Sequence, residues 1–197
     1  MRANSFTLEK LTVRARYPET FSSYLELFEQ EEISPRRFER KFRMLCRAIR
    51  ADLSVRHGDL ENPASAGSGG RLSKEEDALR NEFRRNVYAL MRDLVGLKWW
   101  RLVEPLVQRK TPGKRPRSPF AKKFSDLLHY ILRDAKTGEL IVFDSAAIGD
   151  MANQLAYAQR HDVPFQFLIG FLSEIGFDRA AAKERSGGWE DWYLRSL

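Results

Sequence analysis

The sequence predicts a mainly α, helical bundle-like domain of about six or seven helices, allowing a small two-stranded β element. Three observations carry that reading. Apolar residues recur at i, i+3, i+4 and i+7 in segment after segment. Residues that open helices, such as Ser, Asp and Pro, stand just before those segments. Hydrophobic residues make up 43% of the 197, with 13 Phe and 4 Trp, which is enough apolar material for a packed core.

The elements follow in order along the chain. Leu11, Val13, Ala15 and Tyr17 alternate with Thr12, Arg14 and Arg16, the period of a short half-buried strand that Pro18 ends. Phe21, Tyr24, Leu25 and Phe28 place a helix over about 19–31. Ser34-Pro35 opens a second helix, expected to reach about Asp52. Residues 62–72 form a connector rich in Gly, Ser and Ala, separating an N-terminal part (1–61) from a main body (73–197). Ser73 and Glu76 make a capping box for a helix to about Val95, buried through Leu79, Phe83, Val87, Leu90, Met91 and Leu94. Gly96 is expected to stop it in a left-handed conformation.

Leu97–Val107 is apolar but carries Pro105, and residues 108–119 read as a loop. An amphipathic helix over about 120–134 uses Phe120, Phe124, Leu127, Leu128, Ile131 and Leu132. Lys136-Thr137-Gly138 is a turn. Leu140–Phe143 reads as a strand that would pair with residues 10–17. Asp144 or Ser145 caps a helix to about Arg160, and Asp162-Val163-Pro164 opens a final apolar one ending near Gly176. That last segment, with Phe165, Phe167, Leu168, Ile169, Phe171, Leu172 and Ile175, is expected to be buried in the core or in a protein interface. It lacks the polar side chains that a base-reading helix needs.

No apolar run approaches the ~18 residues of a membrane span, and the first residues lack a signal-peptide segment. The single cysteine, Cys46, falls on the apolar side of a helix and reads as a buried thiol. A cytoplasmic protein without membrane contact is expected.

Charge is the most informative functional signal. The net charge is +7, but residues 71–135 hold 16 Lys/Arg against 8 Asp/Glu, while residues 136–197 hold 6 against 9. Such a polarised field concentrates polyanions at one face. Within the second helix, Arg36, Arg40, Arg43, Arg47 and Arg50 step by 4, 3, 4 and 3. At about 100° per residue they fall within roughly 80° of arc, and the ladder rises about 21 Å. Phe38, Phe42, Leu45, Cys46 and Ile49 occupy the other side. Like charges at i, i+4 repel by a few tenths of a kcal/mol per pair, which an anionic partner would offset. The competing reading pairs these arginines with Glu26, Glu29, Glu31 and Glu32 of the preceding helix; a third leaves them as solvated surface.

Pro105–Ser125 contains no acidic residue and carries Arg109, Lys110, Lys114, Arg115, Arg117, Lys122 and Lys123. Pro112, Pro116 and Pro119 keep it extended, so its cations are suited to following a phosphate backbone. The plainer reading is a solubilising loop. Arg80, Arg84, Arg85 and Arg92 are interleaved with Glu75, Glu76, Asp77 and Glu82, which favours mixed surface salt bridges. Trp99 and Trp100 suit core packing better than base stacking. Trp189, Trp192 and Tyr193, beside Glu190 and Asp191, suit a tail docking on its own body or on a protein partner.

Catalytic patterns are weak. His57, His129 and His161 are scattered without zinc spacing, and no phosphate-binding glycine loop or nucleophile elbow occurs. Asp134 and Glu139 resemble two acids of a metal nuclease, but Ile141 stands where a lysine would be needed. The expectation is a non-catalytic nucleic-acid-binding protein, for DNA or RNA, gripping phosphates with limited sequence specificity, as a subunit of a nucleoprotein assembly would. It would need no metal or cofactor, and its C-terminal third would be free for a protein partner. The alternatives are a helical adaptor whose basic face meets an acidic protein and, further off, a metal-dependent nuclease.

Overall fold

The computed structural model describes residues 35–61, 74–96, 99–108, 118–134 and 137–187. The expected strand at 10–17, the helix at 19–31, the caps at Ser34 and Ser73, the connector, the basic loop 109–117 and the aromatic tail from 188 onward lie outside the described residues. Seven α-helices and no strand are found among the described ones: α1 (Pro35–Glu61), α2 (Lys74–Gly96), α3 (Trp100–Gln108), α4 (Pro119–Leu132), α5 (Ser145–Arg160), α6 (Leu168–Ile175) and α7 (Phe177–Ser186). The fold is mainly α. The chain forms two compact units, Met1–Leu106 and Val107–Leu197.

In the first unit α1 packs against α2. Phe38, Phe42, Leu45, Cys46, Ile49 and Leu53 make one continuous buried stripe of α1, as the 3.6-residue period requires. The helix runs nine residues past the expected end at Asp52. Beyond Leu53 the apolar period stops, and Val55 is exposed. Polar contacts carry the extension: Asp52 pairs with Arg56 one turn on (3.7 Å), and Arg56 reaches Glu82 of α2 with both terminal nitrogens (2.9 and 2.8 Å). On α2 the expected core residues are all buried, joined by Tyr88 and Ala89. Glu75, Glu76 and Asp77 fill its first turn, where carboxylates meet the positive end of the helix dipole. Gly96 does not stop the helix in a left-handed conformation. It is the last helical residue, and positive φ is found instead at Gly138, Gly176 and Gly187.

Pro105 lies inside α3, where it removes one backbone donor. Pro105 and Arg101, whose carbonyl loses that donor, are both exposed, so water can satisfy the carbonyl. Trp100 is buried, and Trp99 sets its ring edge against Phe38 of α1 at 5.6 Å. Both tryptophans therefore take part in packing.

The second unit is arranged around α5, which packs against α4, α6 and α7. Residues Met151 to Ala158 of α5 are buried without a break, so this helix has no solvent face along two turns. Ala152, Ala156 and Ala158 on α5 and Ala180 and Ala181 on α7 are fully covered. Their small side chains let the two helix backbones approach closely. Asp144 caps α5 as the sequence predicts, its Oδ1 accepting from the Ala147 amide (2.7 Å), and α4 has a cap not read from the sequence, Ser118, whose Oγ accepts from the Ala121 amide ahead of Pro119.

The strand expected at Leu140–Phe143 is not formed. Leu140 makes a single antiparallel bridge to Arg133. Val142 then takes φ of 66°, and the Phe143 amide donates to the Ile141 carbonyl (2.7 Å), closing a γ-turn. A β-branched residue at positive φ is strained, which breaks the extended run. The 137–138 turn is as expected, with Gly138 at φ 74°.

The final apolar segment also differs from expectation. A 3-10 turn (Phe165–Phe167) precedes α6, and only Leu168 and Leu172 of α6 are buried. Phe167 is 64% exposed. An eight-residue helix has one face to cover, and here the chain covers one stripe. Gly176 (φ 89°) then starts α7, a helix with no counterpart in the sequence reading.

Candidate polyanion-binding face

The face is built by the packing of α1. Once Phe38, Phe42, Leu45, Cys46 and Ile49 are committed to the core, helical geometry turns the opposite side outward. Arg36, Arg40, Arg43 and Arg47 are exposed, and Arg50 is half-buried at the end of the row. The rungs follow at about 4.5 or 6 Å along the axis. Among the described residues, no carboxylate lies within ion-pair distance of Arg36, Arg40 or Arg47. Arg43 meets Glu39 one turn before it, with both side chains in solvent. An exposed pair of that kind is worth ~0.3–0.5 kcal/mol, so a phosphate can displace it easily. Glu26, Glu29, Glu31 and Glu32, the expected internal partners, lie outside the described residues.

Two cations in the first two turns of α1 were not part of the expected ladder. Arg37 is exposed beside it. Lys41 is buried among the apolar residues, and burial, together with Arg37, holds its ammonium below the ordinary lysine value. Its position one residue before Phe42 is the only hint that the sequence offers.

The basic stretch after Pro105 is described only in part. Lys122 and Lys123 are half-buried in the first turns of α4 and belong to the second unit, whereas the ladder belongs to the first. Arg109, Lys110, Lys114, Arg115 and Arg117 lie outside the described residues.

The arginines of α2 are mostly engaged, though not all as surface salt bridges. Arg80 pairs with Glu76 (3.0 Å), whereas Glu82 is taken by Arg56 of α1. The Arg56 fork holds the Glu82 carboxyl below the usual carboxylate range despite partial burial, and Glu82 in turn holds Arg56 protonated to higher pH. Arg84 donates to Asn81 Oδ1 (2.9 Å) and is brought down to about 10 by burial, with Arg80 adding repulsion. Arg92 lies over the Tyr88 ring at 6.0 Å.

Sequence reasoning missed the best-built polar cluster. At the centre of the second unit Glu184 of α7 is buried and accepts from Arg160 Nε (3.0 Å) and Nη2 (3.2 Å) at the end of α5. It also accepts from Ser118 Oγ, the cap of α4. The Arg160 guanidinium stands 5.3 Å from the Phe120 ring centre. These contacts join three helices around one carboxylate. The hidden signal was a Glu on a helix whose other covered residues are alanines.

Of the two nuclease-like acids, Glu139 is exposed and Asp134 takes part in the turn. Asp134 Oδ1 accepts from the Thr137 amide (2.9 Å) and holds the turn. No group of three or more His, Cys, Asp or Glu suited to a metal ion occurs among the described residues. His129 is buried, its Nδ1 donating to the Ser125 carbonyl (2.8 Å), which is a structural arrangement. Among the described residues no helix is long and apolar enough to cross a membrane. Comparison with family models, curated proteins and solved structures finds no match to this chain.

Proposed function

We propose that the outward face of α1 is a phosphate-backbone grip, and that the protein binds DNA or RNA through it without chemistry of its own. One observation supports this above the others. Arg36, Arg40, Arg43 and Arg47 share one exposed face of a helix whose opposite face is fixed in the core. Phosphate oxygens satisfy such a row without regard to base identity, so sequence specificity is limited. The basic stretch Arg109–Lys123 extends the same chemistry, and a cytoplasmic location suits the reading.

The test is fluorescence anisotropy with random-sequence duplex and single-stranded probes across a salt series. Four exposed arginines on duplex phosphates give a log–log slope of roughly −3 to −4. Arg40→Glu/Arg43→Glu/Arg47→Glu removes binding while circular dichroism stays helical. A flat salt response would point to an acidic protein partner instead. Unfolding of the triple variant would mean that the arginines serve internal pairing.

A further inference from the structure

A groove of about 300 Å³ opens between α6 and α7, with Phe171 and Ile175 on one side, Arg179 and Lys183 on the other, and Glu174 at the mouth. On the first side the Phe171 ring stacks on Tyr157 (6.0 Å) and meets His161 (5.6 Å). Lys183 Nζ lies 5.7 Å from the centre of the Tyr157 ring and donates to its hydroxyl (3.4 Å). The site thus offers apolar and aromatic surface beside two cations, and it calls for an occupant that is aromatic and acidic together.

The chain carries such a segment next to the groove. Helix α7 ends at Ser186, Gly187 takes φ of 72°, and after Gly188 the sequence continues Trp189-Glu190-Asp191-Trp192-Tyr193. The left-handed residue reverses the chain at the helix end. Ser186 stands three residues after Lys183 and shares its side of the helix. Lys183 is about 6 Å and Arg179 about 12 Å back along the axis from Gly187. An extended chain advances ~3.3 Å per residue, so Trp189 reaches ~7 Å and Trp192 ~17 Å. A chain returning along α7 would put Glu190 at ~10 Å, between Lys183 and Arg179, and Asp191 at ~13 Å, level with Arg179, with the tryptophans within reach of the apolar wall. We infer that the Trp189–Tyr193 segment of the same chain seats in the α6–α7 groove, its rings against Phe171 and Ile175 and its carboxylates beside Arg179 and Lys183. The placement is independent of the phosphate-grip reading.

The test uses the full chain labelled with 5-fluorotryptophan, its four signals assigned by single Trp→Phe variants. Exposure is read from 19F relaxation by a neutral gadolinium chelate. Trp189 and Trp192 are expected to relax several-fold less than free 5-fluorotryptophan. Arg179→Glu should raise both toward the free value, and adding Glu190→Arg/Asp191→Arg should restore protection. Ile175→Ser should expose the rings in the same way by removing the apolar wall. Helical circular dichroism is checked for each variant. Three results would overturn the inference: free-like relaxation in the unaltered chain, protection indifferent to both groove substitutions, or protection lost on dilution, which would assign the groove to a second copy.

Discussion

Arg160 and Glu184, 24 residues apart in the chain, form a buried ion pair in which both Nε and Nη2 reach one carboxylate. The Glu184 side chain has no exposed surface. The pair joins the last turn of α5 to α7, and Ser118 brings in the first turn of α4.

Breaking that pair from one side should be costly. Arg160→Met leaves the buried Glu184 carboxyl without its cationic partner, and a loss of about 3–5 kcal/mol is expected from urea unfolding. Arg160→Met/Glu184→Leu should lose much less than the two single variants summed, because no orphaned charge remains. Additive losses would show that the two side chains do not act as a unit. Ser118→Ala, which loses a cap and a hydrogen bond, should cost about 1–2 kcal/mol.

The Arg56–Glu82 fork in the first unit predicts a modest pH dependence. Glu82 is held below the ordinary carboxylate value. Its contribution is therefore complete above the unfolded-state carboxylate range and is lost as pH falls through the lower folded value. Both side chains are more than a third exposed, so solvent screening keeps the contribution at or below ~1 kcal/mol. Glu82→Gln should destabilise the protein slightly at pH 7 and flatten the fall in stability between pH 5 and 3. An unchanged pH profile would rule out a stabilising fork.

Cys46 is buried and its thiol is pushed far up by burial, outweighing the opposing pull of Arg50. The thiolate is the reactive form, so native protein should react with Ellman's reagent only as fast as it opens. Full, rapid labelling should appear in denaturant. Cys46→Ser places a hydroxyl in an apolar site and should cost about 1–3 kcal/mol.

Each ladder arginine should act as an independent phosphate contact. Single Ala substitutions at Arg36, Arg40 and Arg47 are each expected to reduce the salt slope by about 1 and weaken binding equally across probe sequences. Arg43→Ala should behave alike, because its pair with Glu39 lies in solvent. A substitution that changes affinity for one sequence only would indicate base contact instead.

Where the apolar period is long and the caps are regular, the fold was legible. Helices α2, α4 and α5 carry both signals, and the outward set of α1 followed from the 4-3-4-3 spacing of its arginines. Helix α7 carries neither signal. Its covered residues are Ala180, Ala181 and Glu184, which look like surface in a hydropathy pattern. The last third of α1 was missed because a cross-helix ion pair, rather than an apolar stripe, continues it. Val142 shows the opposite failure: a β-branched residue in an apolar run suggests a strand, yet a local γ-turn holds it at positive φ. In α6 apolar residues cover most of the helix, interrupted only by Ser173 and Glu174, so sequence alone does not tell which stripe is covered and which is left for the groove.

The unbroken burial of Met151–Ala158 makes this stretch of α5 the slowest clock in its unit. With α4, α6 and α7 all laid against it, its amide protons have no local route to solvent. Their deuterium uptake must wait for the surrounding helices to come apart together, so those eight residues report the opening of the whole unit.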